Sequence, residues 1–250
     1  MGLTRTPMGA PYGWRARIGV LQPSQVTDNN PFEFYLMAPP GVQLLLTSLG
    51  IGDGPRAAEY ARAIDEIETP IRRILTRKPD VIVQAGIPPI TARGWGYEDV
   101  LRKRVAEWTD LPFASDVGCC IAAMHAVGIQ RVAMLVGESQ QGEFADYIRH
   151  AGIEVVAARG LHAVEEGEGG ALPLSVIYHA ALDLFRSAND ADGVWIPIAS
   201  RPTVGMIEAL ESAIGAPVVT SAQAMMWQGL RLANVGTSEV VGFGRVFQSE

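Results

Sequence analysis

The sequence is poor in cysteine, in aromatic residues and in basic charge, and it has no long uninterrupted apolar run. Only two of its 250 residues are cysteines, and these, Cys119 and Cys120, are adjacent. Neighbours on a helix rarely pair, so no disulfide framework is expected and a reducing, cytoplasmic setting fits. Lysine and arginine number 20 against 27 aspartates and glutamates, a net charge of −7. That balance argues against a nucleic-acid partner, which needs a basic face, and against an electrostatic membrane anchor. The long uncharged stretch 34–52 is broken by Pro39-Pro40-Gly41, which excludes a continuous spanning helix there. The opening MGLTRTPMGAPYGWRAR has no apolar core of the kind a secretory signal carries. The four histidines, His125, His150, His162 and His179, are scattered. The segment H-x-x-E-E at 162–166 lacks metal-ligand spacing, and G-I-G-D-G at 50–54 is not a dinucleotide fingerprint. No metal and no cofactor are therefore expected.

What is present is a globular composition, 48% hydrophobic and 19% charged, enough for one large core or two lobes. Short apolar or β-branched runs predict strands at 17–23, 42–50, 80–86, 111–115, 131–137, 153–160, 193–199 and 216–221. Helical patterns fill 56–77, 97–108, 117–127, 140–151, 171–188, 203–213 and 222–233. Strands separated by helices of this length predict βαβ units and a mostly parallel sheet, whose buried strands read as continuous apolar runs. Gly128, Gly152 and Gly215 each follow a helical pattern, where a helix C-terminus favours glycine. The fold class is α/β.

The chain also repeats itself. KPDVIVQAG, a helix, then TDLPFASD parallels DADGVWIPI, a helix, then IGAPVVTSA. Asp80 stands six residues before Gly86 and Asp192 six before Ile198; Pro112 stands four before Asp116 and Pro217 four before Ser221. Two similar flavodoxin-like lobes are predicted, 17–117 and 118–221, after an N-terminal extension over 1–16. The segment from 222 to 250 is expected to pack back on the first lobe. Ligands of open α/β sheets bind beyond the carboxyl ends of the strands, so two facing lobes place one cleft between two such edges. Its candidate walls are the loops 23–30, 86–91, 138–141 and 200–203, with Asp116 and Ser221.

The segments IGVLQPS, MAPPGVQL, PDVIVQAG, GIQRVAML, ADGVWIPIA and GAPVVTSAQAMMWQGLRLANV resemble the aspartate/glutamate racemase superfamily over residues 16–235. The branch is that of maleate cis–trans isomerases and arylmalonate decarboxylases. The resemblance implies two lobes, each ending a strand in a cysteine, with the two thiols on opposite faces of a small carboxylic acid. Decarboxylases of this branch have glycine at the first position and keep the second cysteine. Here the first position is Gly86, and the second is Ile198, or Ala199 if the register slips by one. Neither can transfer a proton. The hydroxyls that decarboxylases carry after the first position are replaced by Ile87 and Pro88, and the family's tyrosine after the central strand is Glu138.

Three readings follow. In the first, the protein is a cysteine-independent lyase or isomerase that forms an enolate-like intermediate from a small carboxylate. Backbone N–H groups near Gly86 and Ser200 would stabilise the enolate, and Glu138, Asp116 or a water would move the proton. Candidate binding residues are Ser24, Gln25, Gly86, Ile87, Ser139, Ile198, Arg201 and Ser221. Arg201 is read as a cleft-rim fork for a carboxylate. In the second, the protein binds a small carboxylate without catalysis. In the third, it is a hydrolase or lyase using Cys119 and Cys120, whose place near a helix start favours a thiolate. A homo-oligomer is compatible with all three.

Overall fold

The computed structural model describes residues 7–27, 29–52, 56–161 and 172–249. The first lobe contains β1 (Ala16–Ser24), α1 (Asn29–Met37), β2 (Val42–Ile51), α2 (Arg56–Asp65) and α3 (Glu68–Leu75). It continues through β3 (Val81–Gln84), α4 (Pro88–Thr91), α5 (Tyr97–Ala106) and β4 (Phe113–Ser115), and leads into α6 (Asp116–Ala126). The second contains β5 (Arg131–Val136), α7 (Gln141–Arg149), β6 (Glu154–Gly160), α8 (Leu174–Ser187) and β7 (Gly193–Ile196). It ends with α9 (Ile207–Ile214), β8 (Val218–Thr220) and α10 (Ser221–Leu232). Each lobe holds a four-stranded sheet, ordered β2-β1-β3-β4 in one and β6-β5-β7-β8 in the other. Every strand pair in both is parallel.

The apolar runs explain the layering. Val81, Ile82 and Val83 of β3, and Val194, Trp195 and Ile196 of β7, are fully buried at the centre of their sheets. Burying each such side chain contributes about 1.5–3 kcal/mol. The edge strand β6 is mostly exposed or half-buried.

The repeat is visible in the hydrogen bonds. Asp80 Oδ2 accepts the Arg17 N–H at 2.7 Å. In the other lobe the Asp192 carboxylate accepts the Arg131 N–H at 3.0 Å. Ile82 N–H donates to Pro112 O at 2.9 Å and Val194 N–H to Pro217 O at 3.0 Å. These paired bonds align β3 with β7, and so Gly86 with Ile198.

The two lobes exchange helices. α10, which follows the last strand of the second lobe, packs on β1, β3 and β4 of the first; α6, which follows the last strand of the first, packs on β8. The two helices also pack on each other. At Gly229 of α10 a Cβ would stand 3.2 Å from Ile18 Cδ1 and Cγ2, so the absence of a side chain lets this helix sit close against β1.

Three expectations about elements are corrected. The pattern over 56–77 forms two helices rather than one, because Pro70 lacks the N–H that would continue the ladder. The expected loop 23–30 ends in a helix, α1, over Asn29–Met37; Pro31 falls in its first turn, where no intrahelical donor is needed. The loop 86–91 contains the single turn α4, again opened by proline. The segments 53–55 and 162–171, including H-x-x-E-E, His162 and the first residue of the helix expected over 171–188, lie outside the described residues.

Candidate active site

The site is built where α6 and α10 begin. Ser115 and Thr220 are extended N-caps whose hydroxyls accept from Gly118 N at 3.1 Å and Gln223 N at 3.4 Å. Gln223 reaches back to the Thr220 N–H at 3.1 Å, closing a capping box. The next residues, Asp116 and Ser221, are therefore delivered to equivalent places, one from each lobe. Asp116 is 0% exposed and Ser221 is 1% exposed.

The Asp116 carboxyl is the centre of this junction. Its Oδ2 accepts the Gly86 N–H at 3.0 Å, and its Oδ1 lies 3.6 Å from Cys120 Sγ one turn along the helix. Cys120 Sγ is 3.9 Å from Ser221 Oγ. Burial pushes the Asp116 carboxyl up to about 6, against the opposing pull of hydrogen bonds from Ser221, Gly86 and Cys120. A carboxyl of that kind exchanges its proton near neutral pH.

Gly86 is held from both sides. Its N–H is taken by Asp116, and its carbonyl accepts from Gln84 Nε2 at 2.9 Å. Its φ is +91°, and a Cβ there would stand 3.1 Å from Pro23 Cγ. The backbone at this position suits glycine and strains any side chain. The Gly86 N–H is thus engaged with Asp116, so of the backbone donors expected near Gly86 this one is taken within the protein.

A family model described as arylmalonate decarboxylase matches residues 18–247. The chain belongs to the arylmalonate decarboxylase family. The arylmalonate decarboxylase of Bordetella bronchiseptica is 23% identical over 210 residues, covering 83% of this chain and 87% of that protein. Among solved structures, a double mutant of arylmalonate decarboxylase in its liganded form superposes with a TM-score of 0.83 at 22% identity. That match covers 93% of this chain and 98% of the other. A maleate isomerase from Pseudomonas putida, solved with maleate, superposes with a TM-score of 0.80 at 22% identity, covering 94% and 98%. A maleate cis–trans isomerase from Nocardia farcinica, solved with a covalently bound succinylcysteine intermediate, gives 0.79 at 21% identity, covering 94% and 99%. These structures share the fold.

Within this family frame the other candidate residues sort by exposure. Ile87 and Ile198 are buried, so both strand ends present an apolar floor. Ile198 N–H folds back to Ile196 O at 2.9 Å, which carries the chain sharply off β7. Glu138 and Ser139 are exposed in a short 3₁₀ turn after β5. Ser24, Gln25 and Ser200 are exposed at the other loop ends. Arg201 is not the rim residue expected: it is 3% exposed, within the turn that follows β7.

The cysteines correct a further expectation. Both are fully buried, and burial, with the nearby Asp116 charge, raises both thiols well above their ordinary value. Desolvation outweighs the helix terminus, so neither is a thiolate at neutral pH. Among the described residues no group of three histidine, cysteine or acidic side chains is arranged to hold a metal ion. His125, His150 and His179 instead contact the backbone carbonyls of Ala151, Asp146 and Ser175. No helix among the described residues is long and apolar enough to cross a membrane.

Glu33 lies outside every expected wall loop, and Asn29 lies inside one, 23–30, without a role given to it. Asn29 and Glu33, both on α1, reach across to the turn after β7. Asn29 Nδ2 donates to Ser200 O at 2.7 Å. The Glu33 carboxylate accepts from Thr203 N, from Thr203 Oγ1 at 3.3 Å and from Val204 N at 2.8 Å. A signal was available: an asparagine and a glutamate four apart, with Pro31 between them at a place compatible with a helix start.

Proposed function

We propose that the protein is a lyase or isomerase of small carboxylic acids, working through an enolate-like intermediate without a cysteine. The observation that carries this is the Asp116 carboxyl. It is buried where the lobes meet, bonded to the peptide at the family's first cysteine position, and poised near neutral pH by burial. In a decarboxylation the bond to the departing carboxylate breaks, its electron pair is held as an enolate on the remaining carboxyl, and a proton returns to carbon. In an isomerisation at a saturated α-carbon the same enolate forms by loss of the α-proton to a base, and a proton then returns to that carbon. Asp116 is the group assigned to hold and return that proton, with the Ser221 hydroxyl beside it. Arg201, with the hydroxyls of Ser24, Ser139 and Ser200, is assigned to the carboxylate that stays; Gly86, Ile87 and Ile198 form the apolar floor, and Gln25 and Glu138 the outer wall. The relatives named for an arylmalonate and for maleate support this substrate class.

The test is a panel of phenylmalonate, maleate and small hydroxy and unsaturated acids, incubated with the protein in deuterated water and followed by NMR. Turnover with deuterium bound to the α-carbon is expected. Turnover without carbon-bound deuterium would remove the enolate, and no turnover across the panel would remove the substrate class.

A further inference from the structure

The two halves carry a matched pair of threonines. Thr91 stands eleven residues after Asp80, and Thr203 eleven after Asp192. Each hydroxyl donates to a glutamate on the first helix of the opposite lobe: Thr91 to Glu143 of α7, and Thr203 to Glu33 of α1. The pseudo-twofold axis therefore generates two cross-lobe latches, one behind each cysteine-equivalent position.

The latches are not equal. Glu143 is exposed, and its contact is one side-chain bond. Glu33 is 2% exposed, and its carboxylate also takes the backbone N–H groups of Thr203 and Val204. Burial pushes the Glu33 carboxyl up, and those hydrogen bonds pull it back. Asn29, one turn earlier on the same face of α1, holds the Ser200 carbonyl in the middle of the turn. Ile198, Ser200 and Arg201 lie between the Ile196 carbonyl that starts the turn and the Glu33 bonds that end it.

We propose that Asn29 and Glu33 are positioning residues: helix α1 of the first lobe clamps the turn that carries Ser200 and Arg201 at its middle and at its far end, and thereby sets the geometry of the second lobe's half of the site. The first lobe thus shapes the site twice, once through Gly86 and once through this clamp. The functional consequence rests on the enzyme reading above; the clamp itself does not.

The experiment separates the two. Amide hydrogen exchange is measured on the full-length protein and on Glu33→Ala, Glu33→Gln, Asn29→Ala and Glu143→Gln, comparing the segment 198–206 with β5 of the same sample. Glu33→Ala is expected to speed exchange in 198–206 by about 10- to 100-fold, the loss of one charge-assisted hydrogen bond, with β5 unchanged. Glu33→Gln keeps one acceptor oxygen and should recover part of the protection. Asn29→Ala should act on the same segment, and Glu143→Gln should leave it unchanged. Where phenylmalonate is turned over, kcat should fall more than KM rises in Glu33→Gln. Unchanged exchange in 198–206, or an equal rise in 198–206 and β5, overturns the clamp. Absence of turnover bears only on the enzyme reading.

Discussion

The two lobes are one design used twice, and they differ where their strands end. Their scaffolds agree bond for bond, with Asp80 and Asp192 tying the entry to β3 and β7, and Pro112 and Pro217 receiving matching N–H groups. At the carboxyl ends of β3 and β7 they differ. The first lobe ends in Gly86, in a left-handed conformation and pinned by Asp116 and Gln84. The second ends in Ile198, buried, on a turn held by a helix from the other lobe. The shared bonds hold the fold, and the departures from symmetry fall where the proposed site lies. An acid, Asp116, and a hydroxyl, Ser221, stand at equivalent helix starts, so proton chemistry is assigned to one side of a nearly symmetric frame.

The largest expected effect tests that asymmetry. Asp116→Asn keeps the shape and removes the titrating proton. With any substrate that the deuterium panel identifies, kcat/KM should fall by about 10²- to 10⁴-fold, the range of a lost general acid or base. Ser221→Ala, at the mirrored position, should cost about tenfold, one hydrogen bond. Equal losses at the two positions would make the pair a structural contact only.

Next comes the pH dependence of folding. The Asp116 carboxyl is raised by burial from an ordinary 3.8 to about 6. The folded state therefore binds a proton more tightly than the unfolded chain. Stability from this group is complete below pH 4 and is lost as pH rises through 6. Between pH 4 and pH 7.5 wild type should lose up to about 3 kcal/mol that Asp116→Asn does not. Denaturant melts of both proteins at the two pH values measure it, and parallel pH curves would place Asp116 in a solvated setting.

A smaller effect compares the two strand ends directly. Gly86→Ala forces a side chain into a left-handed conformation facing Pro23, costing about 1–3 kcal/mol. Ile198→Val removes one buried methylene at an unstrained residue, costing about 0.5–1.5 kcal/mol. In a protein of this size each kcal/mol lowers Tm by about 2–4 °C. A larger loss at Ile198 than at Gly86 would reverse the reading that the first position is the constrained one.

Much of the fold could be read from the residues, because parallel strands buried on both faces leave apolar runs and the repeat marks its own register through aspartates and prolines. The candidate site was readable only where it follows that register: Gly86, Ile198, Asp116 and Ser221 lie where the spacing puts them. What the sequence hid is what depends on contacts between lobes. Asn29-Asn30-Pro31 reads as a turn until α1 is seen packed on α10, so Glu33 went unnoticed. Arg201 looks like a rim residue in a polar loop, and its burial comes from how the turn folds under its neighbours. Backbone N–H groups near Gly86 read as donors to a ligand, and only tertiary structure shows that Asp116 takes the one at Gly86 itself.

The smallest expected effect is none at all, and it falls on the thiols. Cys119 and Cys120 are adjacent in α6, fully buried, with both thiols raised well above their ordinary value. Alkylation needs a thiolate and a path to it, and here both are missing. The comparison between lobes assigns no chemistry to either: the resemblance puts the family's cysteine positions at Gly86 and at Ile198 or Ala199, and these two cysteines lie one turn along a helix from Asp116. Folded protein treated with iodoacetamide at pH 7.5 should keep its mass and whatever turnover the deuterium panel reveals. The same protein in denaturant should gain two adducts, one for each cysteine in the chain. Rapid labelling of the folded protein, with turnover lost in step, would put a reactive cysteine back into the site and return the protein to thiol chemistry.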